Sequence, residues 1–264
     1  MKSIDSLARS SDRLDKRITE NFKGQQIDFI KWIFERLDVP SGSVVLEIAC
    51  GTGYQTLPLL ELVGENGHVF ALDVSKDAIE KLKNKIGIDL RVRLTAIESK
   101  MEKINTSLER NNIRPPAFDL IFCSYGLYYS ENPQETLDNA LNWLRPGGKI
   151  VIIGPYRFNN RPLFNLLSEV GVDIPPFVMY TSKDFMEAIV IPWAIRCFNK
   201  IKIHTMVNYV QWDNPESLIE YWKNTTFYDG SKLQKLQDLI SEYFAREKIF
   251  TNEKWVMMIE AANE

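Results

Sequence analysis

The chain has 264 residues and is 45% hydrophobic, enough for a sizeable core arranged as one large domain or two small ones. Charged residues make up 25% with a formal net charge of −3, so no basic footprint points to a nucleic-acid partner. Cys50, Cys123 and Cys197 are widely spaced and only His68 and His204 could join them, which argues against a disulfide framework or a metal site; with a polar N-terminus, "MKSIDSLARSSDRLDK", and no apolar run near the ~20 residues of a membrane span, a cytoplasmic protein without a membrane partner is expected.

Strands and helices alternate through the first two-thirds. "QQIDFIKWIFERL" places Ile27, Ile30, Ile33 and Phe34 on one helical face. Val44 to Ala49 reads as a strand. Helical character follows from Tyr54 to Val63 and stops at Gly64, with Pro58 near the first turn. "HVFALDV" is a second strand, and Ser75 can cap the helix after it, which carries Ile79, Leu82 and Ile86. "LRVRLTA" alternates as a third strand, and "FDLIFCS" is a fully apolar fourth.

In the next helix Asn132 is a candidate N-cap, Pro133 suits the first helical position, and Glu135 can close a capping box. Leu137, Ala140, Leu141 and Leu144 form its buried stripe, and Pro146-Gly147-Gly148 stops it. "KIVIIGP" is a fifth strand, after which Asn160 reads as the cap of a helix carrying Leu163, Leu166, Leu167 and Val170. Beyond Pro175 the pattern loosens. Helical material around Phe185 to Ile189 leads to a strand, "KIKIHTMVNYVQW". A helix starts at Asn214-Pro215, Ser231 and Gln234 box another, and "KWVMMIEAA" is a last strand. Continuous apolar strands between amphipathic helices predict a doubly wound, mostly parallel α/β sheet, with ligands outside the carboxyl ends of the strands.

The bend in "VVLEIACGTGYQT" lies at such an end. Gly51 and Gly53 let main-chain N–H groups approach a ligand. Glu47 sits four residues before Gly51, where a carboxylate repels a pyrophosphate and favours a cationic or amino group. Position 56 is Thr, where a dinucleotide fingerprint has a third Gly or Ala. Asp73, 22 positions after Gly51, can accept from both ribose hydroxyls. Together these describe a nucleoside with a ribose diol and a cationic end, which is S-adenosylmethionine.

From about Gln25 to Pro155 the chain resembles the class I S-adenosylmethionine-dependent methyltransferases, of the UbiE-like small-molecule kind. Glu47-Ile48-Ala49-Cys50-Gly51-Thr52-Gly53 is similar to the family's acid-x-Gly-x-Gly-x-Gly motif, with Ala49 where the first glycine often stands. "DNALNWLRPGGKIVIIGP" looks like its helix, LxPGG turn and fifth strand. The resemblance implies a Rossmann-like seven-stranded sheet whose last strand is antiparallel. It implies a cofactor set of Glu47, Ala49, Gly51, Thr52, Gly53, Asp73, Val74, Glu98 and Ser124, with S-adenosylhomocysteine as product. As a single domain, 1–264, it implies an N-terminal helical arm over 1–40, a cofactor core over 41–155, and substrate-covering helical segments over 156–199 and 213–252.

The acceptor side is aromatic. Tyr125, Tyr128 and Tyr129 follow the fourth strand, Tyr156 and Asn159 the fifth, and Trp212 ends the sixth. His204 and Tyr125 are the candidate catalytic groups, although His204 falls in mid-strand. His68 reads as structural and Cys50 as a small packing residue. The expected enzyme acts on a small-molecule acceptor, as a monomer or homodimer. The alternatives are an NAD(P)-dependent oxidoreductase, which shares the βαβ start, and a non-catalytic partner subunit of the same fold.

Overall fold

The structure is a computed structural model that describes residues 10–263, so the first nine residues of the expected N-terminal arm lie outside it. Its seven strands are β1 (Val44–Ile48), β2 (His68–Asp73), β3 (Leu94–Glu98), β4 (Phe118–Ser124), β5 (Leu144–Pro155), β6 (Lys200–Trp212) and β7 (Phe250–Ala262). They form one mostly parallel sheet in the order β3-β2-β1-β4-β5-β7-β6, with one antiparallel strand. β1 pairs in parallel with β2 on one side and β4 on the other, and β2 pairs with β3. The chain order therefore reverses direction beside β1, and the bend after β1 sits at this switch point, where doubly wound sheets bind ligands.

The chain divides into two compact units. The first comprises Met1–Trp32, Pro155–Phe185 and Thr205–Val256; the second comprises Ile33–Gly154, Met186–His204 and Met257–Glu264. The second unit holds β1 to β4 with the apolar residues that made those strands readable. Val45, Leu46, Val69, Ala71, Ile121 and Phe122 are all completely buried. Its helices follow local sequence chemistry. The helices α3 (Thr56–Val63) and α4 (Lys76–Lys85) flank β2 in the chain; α3 ends at Gly64, with φ 67°, and Ser75 caps α4 by accepting from the Ala78 N–H. Asn132 caps Pro133–Leu141 as expected, accepting from the Glu135 N–H. The reciprocal bond of a capping box is not made: the Glu135 carboxylate accepts from the Asn132 side-chain amide, and the Asn132 backbone N–H donates to Ser130 Oγ.

The first unit is mostly helical. Its core gathers Leu163, Leu167, Trp212, Leu218, Tyr221, Trp222, Leu236 and Phe250, all buried. The helix Ser11–Gly24 leads into Gln25, which bridges Val210 antiparallel, while Asn208 accepts from the Ile27 N–H and donates to its carbonyl.

Three local expectations are corrected. The third strand begins at Leu94 rather than Leu90, because Ile88–Arg91 coils into one helical turn after Gly87. The helix before β5 ends at Leu141, and Leu144 already opens β5, opposite Phe118 of β4. Asp229, not Ser231, supplies the capping oxygen ahead of the last helix, Leu233–Arg246: its carboxylate accepts from both the N–H and the hydroxyl of Ser231 in the short turn Gly230–Lys232.

Candidate active site

At the end of β1 the chain turns sharply. Ala49, Gly51 and Gly53 all take positive φ, at 59°, 53° and 89°. A side chain on Gly53 would also meet Leu82 Cδ1 at 2.3 Å, so this position needs glycine on both counts. Ala49 pays a steric penalty that glycine would not, and such strain at a ligand-facing bend is typical of functional sites. The strain is invisible in the sequence, where Ala49 reads only as a missing glycine.

Asp73 fixes the bend. Its Oδ2 accepts from the Gly51 N–H at 2.8 Å and its Oδ1 from the Ser75 N–H at 2.8 Å. Burial pushes this carboxyl up, while the N–H groups of Ser75, Gly51 and Val74 pull it back down. A carboxylate has about four acceptor positions, so these N–H groups do not use up its capacity. Glu98 ends β3 directly beside Asp73 in register, and its side chain is exposed. Val74 is 37% exposed and Thr52 is buried.

Glu47 is placed differently from the carboxylate expected to point into an open bend. It is 1% exposed and accepts from the Thr56 hydroxyl at 2.5 Å, which ties β1 to the first residue of α3. Burial pushes its carboxyl up to about 8; the Thr56 bond lowers it and the Asp73 charge raises it. Burial thus favours the protonated form of Glu47. Thr56 fills the place where a dinucleotide fingerprint needs a small residue. Cys50 is buried, and burial together with the charges of Glu47 and Asp73 pushes its thiol well up, so it is a packing residue.

The acceptor candidates fall in both units. In the second, Ser124 ends β4, and its Oγ is buried with no hydrogen-bond partner. Tyr125 follows with φ 55°, anchored by its N–H to Ile153 O at 2.8 Å. Tyr128 and Tyr129 lie in the turn Leu127–Tyr129, with ring centroids 4.7 Å apart, and Tyr129 is 39% exposed. In the first unit, Tyr156 packs edge-on against Trp255, Trp212 tilts over Tyr221, and Asn159 is buried. His204 lies in β6 eight residues before the strand's carboxyl end, about 26 Å at the usual rise per residue. Its Nε2 is buried without a partner. His68 pairs with the Thr95 hydroxyl at 2.8 Å between β2 and β3, as a structural histidine does.

Asn160 corrects the sequence reading. It precedes the helix Arg161–Glu169 but makes no side-chain cap, and takes left-handed φ 63°. Its Oδ1 instead accepts from Lys254 and Asn252. Lys254 was missed altogether, since nothing local links positions in different elements. A hollow of about 480 Å³ lined by Asp38, Ser43, Asp119 and Lys149 lies at the amino ends of β1 and β4, the end opposite the bend.

Residues 40–221 match the family model described as a methyltransferase domain. That is more than half of the chain, which therefore belongs to this family, the class I S-adenosylmethionine-dependent methyltransferases. It is similar to the mitochondrial ubiquinone biosynthesis O-methyltransferase of Schizosaccharomyces pombe, with 26% identity over 173 residues, 65% of this chain and 60% of that protein. It is also similar to a demethylmenaquinone methyltransferase of Shouchella clausii, with 29% identity over 119 residues, 45% of this chain and 48% of that protein. The chain thus spans between 48% and 60% of the length of these relatives. Among solved structures, the YcgJ protein of Bacillus subtilis superposes with a TM-score of 0.59 at 10% identity, covering 89% of this chain and 98% of that one. Phosphoethanolamine N-methyltransferase 2 of Haemonchus contortus, in complex with S-adenosyl-L-methionine, superposes with a TM-score of 0.52 at 15% identity, covering 88% of this chain and 51% of that one. These two likenesses show the fold. S-adenosylmethionine is the cofactor of the class, and the residues at the bend fit it: an acid with spare acceptor capacity at Asp73, a glycine with positive φ at Gly53, and a buried acid at Glu47 in place of a phosphate cradle.

Proposed function

We propose that the chain methylates a small aromatic acceptor. The carrying observation is Asp73, which holds the Gly51 N–H and so fixes the bend while keeping acceptor positions for a ribose. When bound, S-adenosylmethionine supplies a sulfonium methyl group with a neutral leaving group, open to in-line displacement. Little covalent help is then needed, and the chain's task is positioning, which can contribute effective molarities of ~10⁵–10⁸ M.

In this reading Gly51 to Gly53 present main-chain groups to the amino-acid end of the cofactor, and Asp73 and Glu98 orient the nucleoside. A positive charge on the bound cofactor would favour the ionised form of Glu47. Tyr125, Tyr128 and Tyr129 contribute an aromatic wall beside the bend, within the second unit. Tyr156, Asn159 and Trp212 are the candidate acceptor contacts within the first, where 156–185 and 213–252 lie. The quinone-pathway names of the relatives support an aromatic ring as the acceptor's core. His204 receives no proton-transfer role, because a base must first lie within reach of the proton it takes. No described helix is long and apolar enough to cross a membrane.

Calorimetric titration with S-adenosylhomocysteine tests the proposal, with NAD⁺ and NADP⁺ as controls. Micromolar binding of the adenosyl ligand alone is expected. Saturable dinucleotide binding in its place overturns the proposal in favour of an oxidoreductase.

A further inference from the structure

Among its described residues, the first unit contains a cation with no carboxylate paired to it. Lys254 Nζ donates to the Tyr221 hydroxyl at 2.7 Å and to Asn160 Oδ1 at 2.6 Å, and lies 4.9 Å from the Tyr221 ring centroid. Asn252 supports the arrangement, donating to Asn160 Oδ1 at 2.9 Å and accepting from the Leu163 N–H at 3.3 Å. Asn160 holds a left-handed backbone to keep its side chain in this network. Tyr221 is 2% exposed, and its hydroxyl also feels the charge of Arg17 and a hydrogen bond from Asn21. Burial pushes this phenol up, but Lys254, Arg17 and Asn21 outweigh it and leave it below its ordinary value.

Among the described residues, no carboxylate pairs with Lys254 or Arg17. Polar atoms beside the pair are also unsatisfied. Trp212 Nε1, on a ring 5.1 Å from that of Tyr221, and Asn21 Oδ1 are buried without hydrogen-bond partners. The Trp212 residue is 3% exposed. A lysine ammonium has three donors, and two are engaged here. The third, with the Trp212 N–H, makes two unused donors in a cationic, aromatic setting. Lys254 is half-buried, so its ammonium is within reach of a ligand arriving from solvent.

We propose that the Lys254–Tyr221–Trp212 cluster receives an acidic oxygen of the acceptor, a carboxylate or ionised phenol carried on an aromatic ring. This rests on the methyltransferase reading and narrows its substrate class. The rings of Trp212 and Tyr221, tilted at 43°, and that of Phe250, 6.2 Å from Trp212, suit the flat body of such a molecule.

The test uses the full chain, with and without S-adenosylhomocysteine. Benzoate, 4-nitrophenolate, methyl benzoate and benzylamine are titrated while tryptophan fluorescence is read. At least one anion should bind about 10-fold or more tighter than methyl benzoate, and whichever anion wins identifies the oxygen. Lys254→Met should remove about 10–100-fold of that affinity while leaving methyl benzoate unchanged, and Lys254→Arg should retain most of it. Trp212→Phe keeps a ring but removes the N–H; it carries the test should Lys254→Met fail to fold, with a loss of about 3–10-fold expected. Equal binding of anion and ester, a preference for benzylamine, or anion binding indifferent to the folded variants overturns the inference and assigns the unsatisfied atoms to water. Loss of S-adenosylhomocysteine binding with anion selectivity intact would instead defeat the proposed function and leave this site standing.

Discussion

Asp73 acts on two backbone groups at once, so its removal has two consequences. In Asp73→Ala the Gly51 and Ser75 N–H groups lose their acceptor, which should cost about 1–3 kcal/mol of stability per group that stays buried. Loss of the ribose contacts should weaken S-adenosylhomocysteine by about 10–100-fold. Asp73→Asn keeps one acceptor and should fall between. Denaturant unfolding and calorimetry read the two effects separately, and unchanged binding in Asp73→Ala would remove this residue from the site. Glu47 gives a pH prediction. Its carboxyl stands at about 8 in the folded chain against an ordinary 4.5, so between those values the folded chain holds a proton that the unfolded chain has lost. The contribution to stability is full below 4.5 and is lost as pH rises toward 8. Glu47→Gln should flatten this slope in urea titrations at pH 5, 6.5 and 8. Parallel profiles for the two proteins would exclude Glu47 as the source.

At the scale of elements, the bend after β1 and the turn after β4 are fitted to each other by size. A Cβ built on Gly126 would fall 2.2 Å from the Cβ of Ala49. Gly126→Ala should therefore cost about 1–3 kcal/mol through overpacking. Ala49→Gly should be close to neutral, since relief of the left-handed strain offsets the entropy glycine loses on folding. The double variant should recover most of the Gly126→Ala loss. A thermal-unfolding cycle measures the coupling, and strict additivity would mean the backbone yields elsewhere. This pairing also shows where sequence reading stops. The strands were legible because their apolar runs are continuous, and the helix at Pro133 because cap, proline and glutamate lie within four residues. Asn160 was misread because its partners, Asn252 and Lys254, are some ninety residues away. The turn at Ile88–Arg91 was lost for the opposite reason: four residues hold too little periodicity to compete with an alternating pattern.

For the whole molecule, the parallel sheet, its switch point and the acid at the end of β2 were all readable, because each follows from strand order and local chemistry. The first unit was not readable as a unit, because three separate stretches of chain build it. Ligand linkage supplies a prediction at this scale. At 100 times its Kd, S-adenosylhomocysteine should add about 2.7 kcal/mol, and raise the midpoint of thermal unfolding by several degrees, about 2–4 °C per kcal/mol for a chain of this size. No shift at saturating ligand would mean that the ligand does not select the folded state.

The path of β6 and β7 bears on how the protein can be taken apart. Each strand starts in one unit and finishes in the other. No single cut therefore releases a complete unit. A fragment ending near Gly154 would keep the glycine bend but lose Met186–His204 and Met257–Glu264 from its own body. Exchanging acceptor specificity with a relative by swapping one contiguous cassette would break the same dependence. A transplant would have to carry both long strands, or leave them untouched and change side chains one at a time.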